Sequence, residues 1–261
     1  MSSTYCLDIW KARFFWGHLT LADLRTRWRR SFLGMLWSIL QPLGLALLLS
    51  AVFSRLLQTD IIKYAPYILS GIIVWEFFVS VITGGSMAFI QADAYIKQYR
   101  HPLAIYTLRS CLSSLTILFL ASTTLFGWSV IALPDNIGWT WLAVLSLPVV
   151  LISIGWPAAT LLAYIGTRFR DLTPALALVL QAIWFISPVY FEEGLFRRGG
   201  LDALVDNNPI YHILQIVRAP LLSGEWPSIT NYTFAFGTAA VIALLAWLVG
   251  RRAERRVIFY L

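Results

Sequence analysis

YAPYILSGIIVWEFFVSVITGGSMA, residues 64–88, carries Glu76 as its one charged side chain. A helix that crosses the hydrocarbon of a bilayer needs roughly 20 apolar residues, and this stretch exceeds that length without strand alternation. Only helices and closed barrels satisfy the backbone in lipid, so the segment reads as a membrane-spanning helix. Five further blocks of the same kind lie at 34–53, 103–133, 139–166, 174–191 and 232–250. The chain is 59% apolar with a mean hydropathy of +0.72. These blocks predict an all-α integral membrane protein of six transmembrane helices, hence a channel, a carrier or a membrane-embedded enzyme. Length and composition predict a single domain over 1–261: an amphipathic cytoplasmic segment (1–33), a six-span core (34–250) and a basic cytoplasmic tail (251–261).

The basic residues set the orientation, because Lys and Arg of short flanking loops stay on the cytoplasmic side. Six spans put both termini on one side. That side holds Lys11, Arg13, Arg25, Arg27, Arg29, Arg30, Lys97, Arg100, Arg109, Arg168, Arg170, Arg251, Arg252, Arg255 and Arg256. The other side holds Arg55, Lys63, Arg197, Arg198 and Arg218, together with Asp60, Asp135, Glu192, Glu193, Asp202, Asp206 and Glu225. Both termini are therefore expected in the cytoplasm, and the net charge of +7 is a topological signal rather than a mark of nucleic-acid binding. No cleavable signal peptide is expected, since polar and basic residues precede the first long apolar run. Cys6 and Cys111 are expected to be free thiols, and His18, His101 and His212 are scattered without metal-ligand spacing.

In the first thirty residues Trp10, Phe14, Gly17, Leu21, Leu24 and Trp28 recur at helical spacing, and the cations avoid that stripe. This is the pattern of a helix lying in the membrane interface. Two roles stay open from the residues alone: an anchor, or a gate whose Arg27, Arg29 and Arg30 meet the phosphate of a lipid-linked substrate. Residues 91–102 predict a short cytoplasmic helix ended by Pro102. Arg168, Arg170 and Asp171 are packed into a tight cytoplasmic turn, either as topological marker or as docking site. In the long external loop, Asn208 and Pro209 read as N-cap and first helical residue. Ile210, Ile213, Leu214, Val217 and Leu221 then form an apolar face. That helix is expected to be a re-entrant or interfacial cap, above a fifth span shortened by Ser187 and Pro188.

Glu76 lies at mid-span among Trp75, Phe77 and Phe78. A carboxylate there costs on the order of 3 kcal/mol, so it should face protein or a water-filled cavity. Aromatic faces beside an acid suit sugar rings, which combine C–H faces with hydroxyls; a structural bond to a neighbouring span is the other reading. No phosphate loop (GxxxxGK followed by Ser or Thr), HExxH, GxSxG or DxD pair occurs, which disfavours an enzyme and ATP binding by this chain.

Five blocks carry a resemblance over nearly the whole chain. They are DLRTRWRRSFLGMLWSILQPL (23–43), GIIVWEFF (71–78), RFRDLTPALALVLQAIWFISPVYF (168–191), NNPIYHILQIVRAPLL (207–222) and RRVIFYL (255–261). In this order and spacing the chain resembles the membrane-spanning permeases of ABC exporters that carry lipid-linked polysaccharides such as O-antigen, capsule and teichoic acid. The resemblance implies a homodimer enclosing a channel in the bacterial inner membrane. It also implies two copies of a separate cytoplasmic ATPase, which holds the ATP and Mg while this chain holds no cofactor. Arg27, Arg29 and Arg30 would lie near a polyprenyl pyrophosphate. Asp93, Lys97, Arg100, Arg168, Arg170 and Asp171 would couple to the ATPase, residues 208–222 would cap the outer mouth, and the glycan would slide along Trp75, Glu76, Phe77, Phe78 and Tyr190. Two alternatives remain at this point: a permease of the same fold for a drug or small lipid, and a solitary lipid or sugar transferase. The transferase would need a metal or an acid pair, where the cytoplasmic loops offer the isolated Asp93 and Asp171.

Overall fold

The computed structural model describes residues 3–29, 31–58, 60–98, 101–254 and 257–261. Arg30 and Arg100, two of the expected functional cations, lie outside the described residues, as do Arg255 and Arg256. In chain order the elements are α1 (Ser3–Lys11), α2 (Arg13–Trp28), α3 (Trp37–Leu57), α4 (Ile61–Gln91), α5 (Asp93–Gln98), α6 (Ala104–Ala132), α7 (Leu147–Arg168), α8 (Leu172–Ile186), α9 (Glu193–Arg198), α10 (Asp202–Asp206), α11 (Pro209–Arg218), α12 (Ile229–Ala253) and α13 (Val257–Tyr260). Short 3-10 turns precede α3 (Gly34–Leu36) and α7 (Pro134–Asn136 and Trp139–Ser146).

Five helical stretches are long and apolar enough to cross a membrane: Gly34–Leu56, Ile61–Gln91, Ala104–Ala132, Trp139–Arg168 and Ile229–Ala253. They match five of the six expected spans. The remaining one, 174–191, differs from expectation in form. Its helix, α8, has 15 residues and at 1.5 Å each reaches about 22 Å, short of the roughly 30 Å hydrocarbon core. The helix stops because Ser187 precedes Pro188, which disfavours the α conformation; Ser187 is extended (φ −97°, ψ 145°).

α4 is the axis of the bundle and packs against α3, α6, α7 and α8. Most of its circumference is apolar, as a largely buried helix requires, and Ile68, Leu69, Ile72, Val81 and Phe89 are fully enclosed. α4 and α7 run parallel, and small residues let them approach: Gly155 meets the Phe77 ring, Gly85 meets Ala159, and Gly166 meets the Ser86 carbonyl. A Cβ on Gly85 would sit 2.6 Å from Ala159, and one on Gly166 would sit 2.1 Å from Ser86 O.

One end of the bundle gathers both termini. Ile9 of α1 packs on Ala104, Ile105 and Leu108, while Leu19 of α2 and Val257 of α13 join Phe89, Tyr106 and Tyr164. The stripe expected on the N-terminal helix divides accordingly. Trp10, Phe14 and Leu21 stay exposed, while Leu24 turns inward with Leu19 and Thr20 against the protein.

The opposite end is built around α11. Asn208 caps it, its side chain accepting from Ile210 N at 2.9 Å, and Ile213, Leu214, Ile216 and Val217 are buried against α4, α7 and α12. The expected cap is thus sunk into the bundle rather than laid on its surface. Its last residue, Arg218, is 3% exposed and has no ion pair among the described residues. Neutral acceptors serve all five of its N–H groups. Nε donates to Ser70 Oγ (3.2 Å), Nη1 to Tyr67 Oη (3.0 Å) and Pro188 O (2.7 Å), and Nη2 to Tyr67 O (3.3 Å) and Val189 O. The guanidinium also lies 3.7 Å from the Tyr67 ring centroid. Tyr64 donates to Tyr190 O (2.6 Å) and Tyr67 to Phe191 O (2.8 Å). Side chains therefore satisfy four successive carbonyls, residues 188–191.

Arg218→Lys keeps the charge but offers three donors instead of five. Each carbonyl left unpaired costs about 1–3 kcal/mol, so a clear fall in the thermal unfolding midpoint in detergent is expected, and a larger one for Arg218→Met. Gly71→Ala should fail similarly, because its Cβ would lie 2.1 Å from Val189 O. Wild-type melting of Arg218→Lys would show that the carbonyls do not depend on this side chain.

Candidate functional site

Along α4, Glu76, Ser80, Gly84, Ala88 and Gln91 recur every three or four residues and so share one face. Opposite it stand Ser110, Ser113, Ser114 and Ile117 of α6, with Asp23 and Arg27 of α2 across the top. These residues, from Ser80 to Gln91 on α4, bound a cavity of about 440 Å³ lined by several hydroxyls. A narrower recess of about 50 Å³ continues from it, where Glu76 meets Gln41 and Ser38 at the start of α3. Arg27 lines both compartments, and Glu76 is exposed within this groove.

Two polar contacts hold the walls. Ser114 Oγ donates to Ser80 Oγ at 2.8 Å, bridging α6 to α4. Arg109 Nε lies 2.9 Å from Asp23 Oδ2, off the line of its N–H, and ties α2 to α6. Burial pushes the Asp23 carboxyl above the usual carboxylate range, and the neighbouring Arg109 opposes that shift. Ser113 Oγ is buried without a hydrogen-bond partner. Among the described residues no three His, Cys, Asp or Glu side chains converge as metal ligands do.

The fold redistributes the residues singled out from sequence. Trp75, Phe77 and Phe78 are 4%, 2% and 7% exposed, and their rings are used inside the subunit, Trp75 beside Trp184 (6.1 Å) and Phe77 beside Phe78 (5.6 Å). Tyr190 is buried in an aromatic cluster with Phe53, Trp184 and Phe191. Packing within the subunit occupies the faces of these four rings; Glu76 is exposed in the groove, and Phe77, though buried, borders its narrow recess. Arg27 and Arg29 also part, since two residues of helix turn them about 200° from each other. Arg29 shares an open cavity with His18 and Arg25 on the other side of α2.

Of the expected coupling residues, Asp93, Lys97, Arg168, Arg170 and Asp171 are described, and Arg100 lies outside the described residues. Ser86 near the end of α4 receives Gly166 of α7 and shares a 2.9 Å hydrogen bond with Thr173 at the start of α8. The ends of α4 and α7, which lead into α5 and into the turn at 168–171, therefore meet at Ser86. Asp93 and Lys97 pair at 2.8 Å within α5, Arg168 lies over the Phe169 ring, and Arg170 and Asp171 are exposed. Sequence reasoning missed the serine row, the Asp23–Arg109 pair and the buried Arg218. The four-residue recurrence of Glu76, Ser80 and Gly84 was the available signal for the groove.

A bundle of membrane-length helices with a polar groove sunk between them defines a polytopic all-α membrane protein. The chain belongs to the ABC-2 type transporter family, whose match covers residues 16–222. It is 22% identical over 242 residues to the O-antigen export system permease protein RfbA of Klebsiella pneumoniae, covering 90% of this chain and 92% of that one. The RfbA permease of Myxococcus xanthus is 24% identical over 243 residues (91% and 90%). The polysialic acid transport protein KpsM of Escherichia coli is 24% identical over 218 residues (79% and 80%).

In a Cys6→Ser background, Glu76→Cys and Ser80→Cys are expected to react with a water-soluble thiosulfonate reagent in everted vesicles. Trp75→Cys and Phe77→Cys should stay protected, and buried Cys111 should stay silent. Equal labelling of residues 75 and 76 would sink the groove assignment.

Proposed function

We propose that this chain is the permease subunit of an ATP-driven exporter that moves a polyprenyl-pyrophosphate-linked polysaccharide, in the first instance an O-antigen, across the bacterial inner membrane. The observation that carries the reading is the polar groove at membrane depth. A carboxylate and a row of hydroxyls facing acyl chains would cost several kcal/mol, so the groove belongs against water, a second subunit or a polar cargo. The names of the full-length relatives supply the cargo class.

The groove's chemistry suits a glycan that must move. Ser80, Ser110, Ser113, Ser114, Gln41 and Glu76 exchange hydrogen bonds with sugar hydroxyls one at a time, each weakly in a hydrated path. Arg27 and Arg109 place positive charge where α2 crosses the groove, matching the phosphate oxygens of a lipid carrier. Two copies of the chain would bring two such grooves together and enclose a channel. Energy must come from elsewhere, because the chain has no phosphate-loop motif. α5 and the turn at 168–171 form a paired platform for two copies of a separate ATPase. The cationic, terminus-bearing end is then the cytoplasmic one. In this reading the permease contributes shape and electrostatics, and all hydrolysis takes place on the partner.

The tagged chain, purified in mild detergent, is expected to retain a phosphate-loop ATPase in equal stoichiometry; recovery of the bare chain after membrane crosslinking would count against an exporter. Arg27→Ala and Glu76→Gln should both lower surface glycan while the subunit and its partner still assemble. Undiminished glycan with impaired drug or lipid efflux would point instead to a small-substrate permease of the same fold.

A further inference from the structure

A second cavity, of about 400 Å³, opens on the flank of the bundle between α7 and α12 and shares no lining residue with the polar groove. It exists because Ala243, Ala246 and Gly250, spaced three and four apart on α12, turn a small-residue face toward Trp156 and Pro157 of α7. Its walls are apolar almost throughout, so water would find few partners there. The polar groups concentrate at the terminus-bearing end. The Arg251 guanidinium lies 4.6 Å over the Trp247 ring and has no carboxylate within 4.0 Å among the described residues. The Glu254 carboxylate at the same rim is engaged by Tyr5 Oη at 3.3 Å.

An independent observation points to a ligand. Tyr164 is 7% exposed, its ring lies against Gly250, and its hydroxyl makes no hydrogen bond among the described residues. It stands between this cavity and a neighbouring one of about 250 Å³ rimmed by Arg168 and Arg252. A buried phenol with no hydrogen bond among the described residues, beside an Arg251 that has no ion pair there while Glu254 at the same rim is engaged by Tyr5, is complementary to one oxyanion at the mouth of an apolar slot.

We propose that this flank is a binding site for one anionic phospholipid of the surrounding leaflet. An acyl chain fills the slot along Ala246 and Pro157, and the headgroup phosphate accepts hydrogen bonds from Tyr164 Oη and Arg251. The occupant is a lipid because the slot is apolar and opens sideways at membrane depth. It is anionic because Arg251 stands at this mouth and Arg168 and Arg252 rim the adjoining cavity on the other side of Tyr164. The site is separate from the export path and would wedge α1, α7 and α12 together at the end where a partner ATPase would dock.

The test is native mass spectrometry of the full chain, with any co-purifying subunits, titrated with phosphatidylglycerol or with phosphatidylcholine of identical acyl chains. Wild type is expected to retain one phosphatidylglycerol per chain in preference to phosphatidylcholine. Ala246→Leu, which fills the slot, should lose the bound-lipid peak, and Arg251→Gln, altered at an exposed position, should lose the preference for phosphatidylglycerol. Equal retention of the two lipids by wild type, or undiminished retention by both variants, would overturn the proposal. Because Arg251 lies at the surface, its variant keeps the test decisive even if the core substitution fails to fold.

Discussion

Backbone carbonyls removed from water must find donors within the protein, and the break after α8 exposes four of them in a row. Arg218, Tyr64 and Tyr67 take all four, and Gly71 supplies the space in which the chain passes α4. Much of the half of the molecule opposite the termini follows from that arrangement. α11 is drawn inward because its last residue must reach α4. α8 can be short because its missing turns are replaced by a segment bonded to α4 and α11. Stacking of Phe53 on Tyr190, at 5.6 Å between ring centroids, then attaches α3 to the same knot. A guanidinium suits this role because its five donors diverge in a plane, where an ammonium would serve fewer acceptors.

The same requirement explains how α4 divides its labour. Most of its circumference is given to close packing, where glycines meet rings and backbone and where Trp75, Phe77 and Phe78 are spent. Its remaining stripe faces α2 and α6 with hydroxyls and one carboxylate. α2 closes that stripe from the side, held by the Asp23–Arg109 pair and by Leu19 and Leu24. Such a partly exposed ion pair contributes modestly, so apolar burial anchors the helix and the pair sets its register. Many polar groups inside the bundle are bonded, as around Arg218, or gathered on one groove, while Ser50, Tyr106, Ser129 and Trp184 keep buried polar atoms without partners among the described residues. That is the pattern expected where a path, and not an isolated ligand site, is the function.

At the other end, the paired helices α4 and α7, which lead into α5 and into the 168–171 turn, meet at Ser86. A displacement applied to either would be carried along two parallel helices in backbone contact. Those helices are the ones whose faces border the groove and the flank cavity. The geometry therefore links the end that carries α5 and the 168–171 turn with the groove and the flank cavity.

Much of this was legible in the sequence. Apolar length dictated membrane helices because lipid permits no other open backbone, charge asymmetry marked one end, and Asn208–Pro209 with an apolar three–four repeat announced α11. Glu76 stood out because a carboxylate at mid-span must have a reason. The directions in which the rings point were hard to read, since outside the sparse Glu76, Ser80 and Gly84 stripe the helix is apolar and its apolar positions do not betray which rings are buried. Trp75, Phe77 and Phe78 therefore looked like a pathway and prove to be core. Arg218, apparently an external cation like its neighbours, became a buried hub only when α4, α8 and α11 met. The Asp23–Arg109 pair likewise joins residues far apart in the chain. Chain-local physics, hydrophobic length and capping, determined the elements; three-dimensional proximity alone decided which polar groups found partners and which were left to face a cargo.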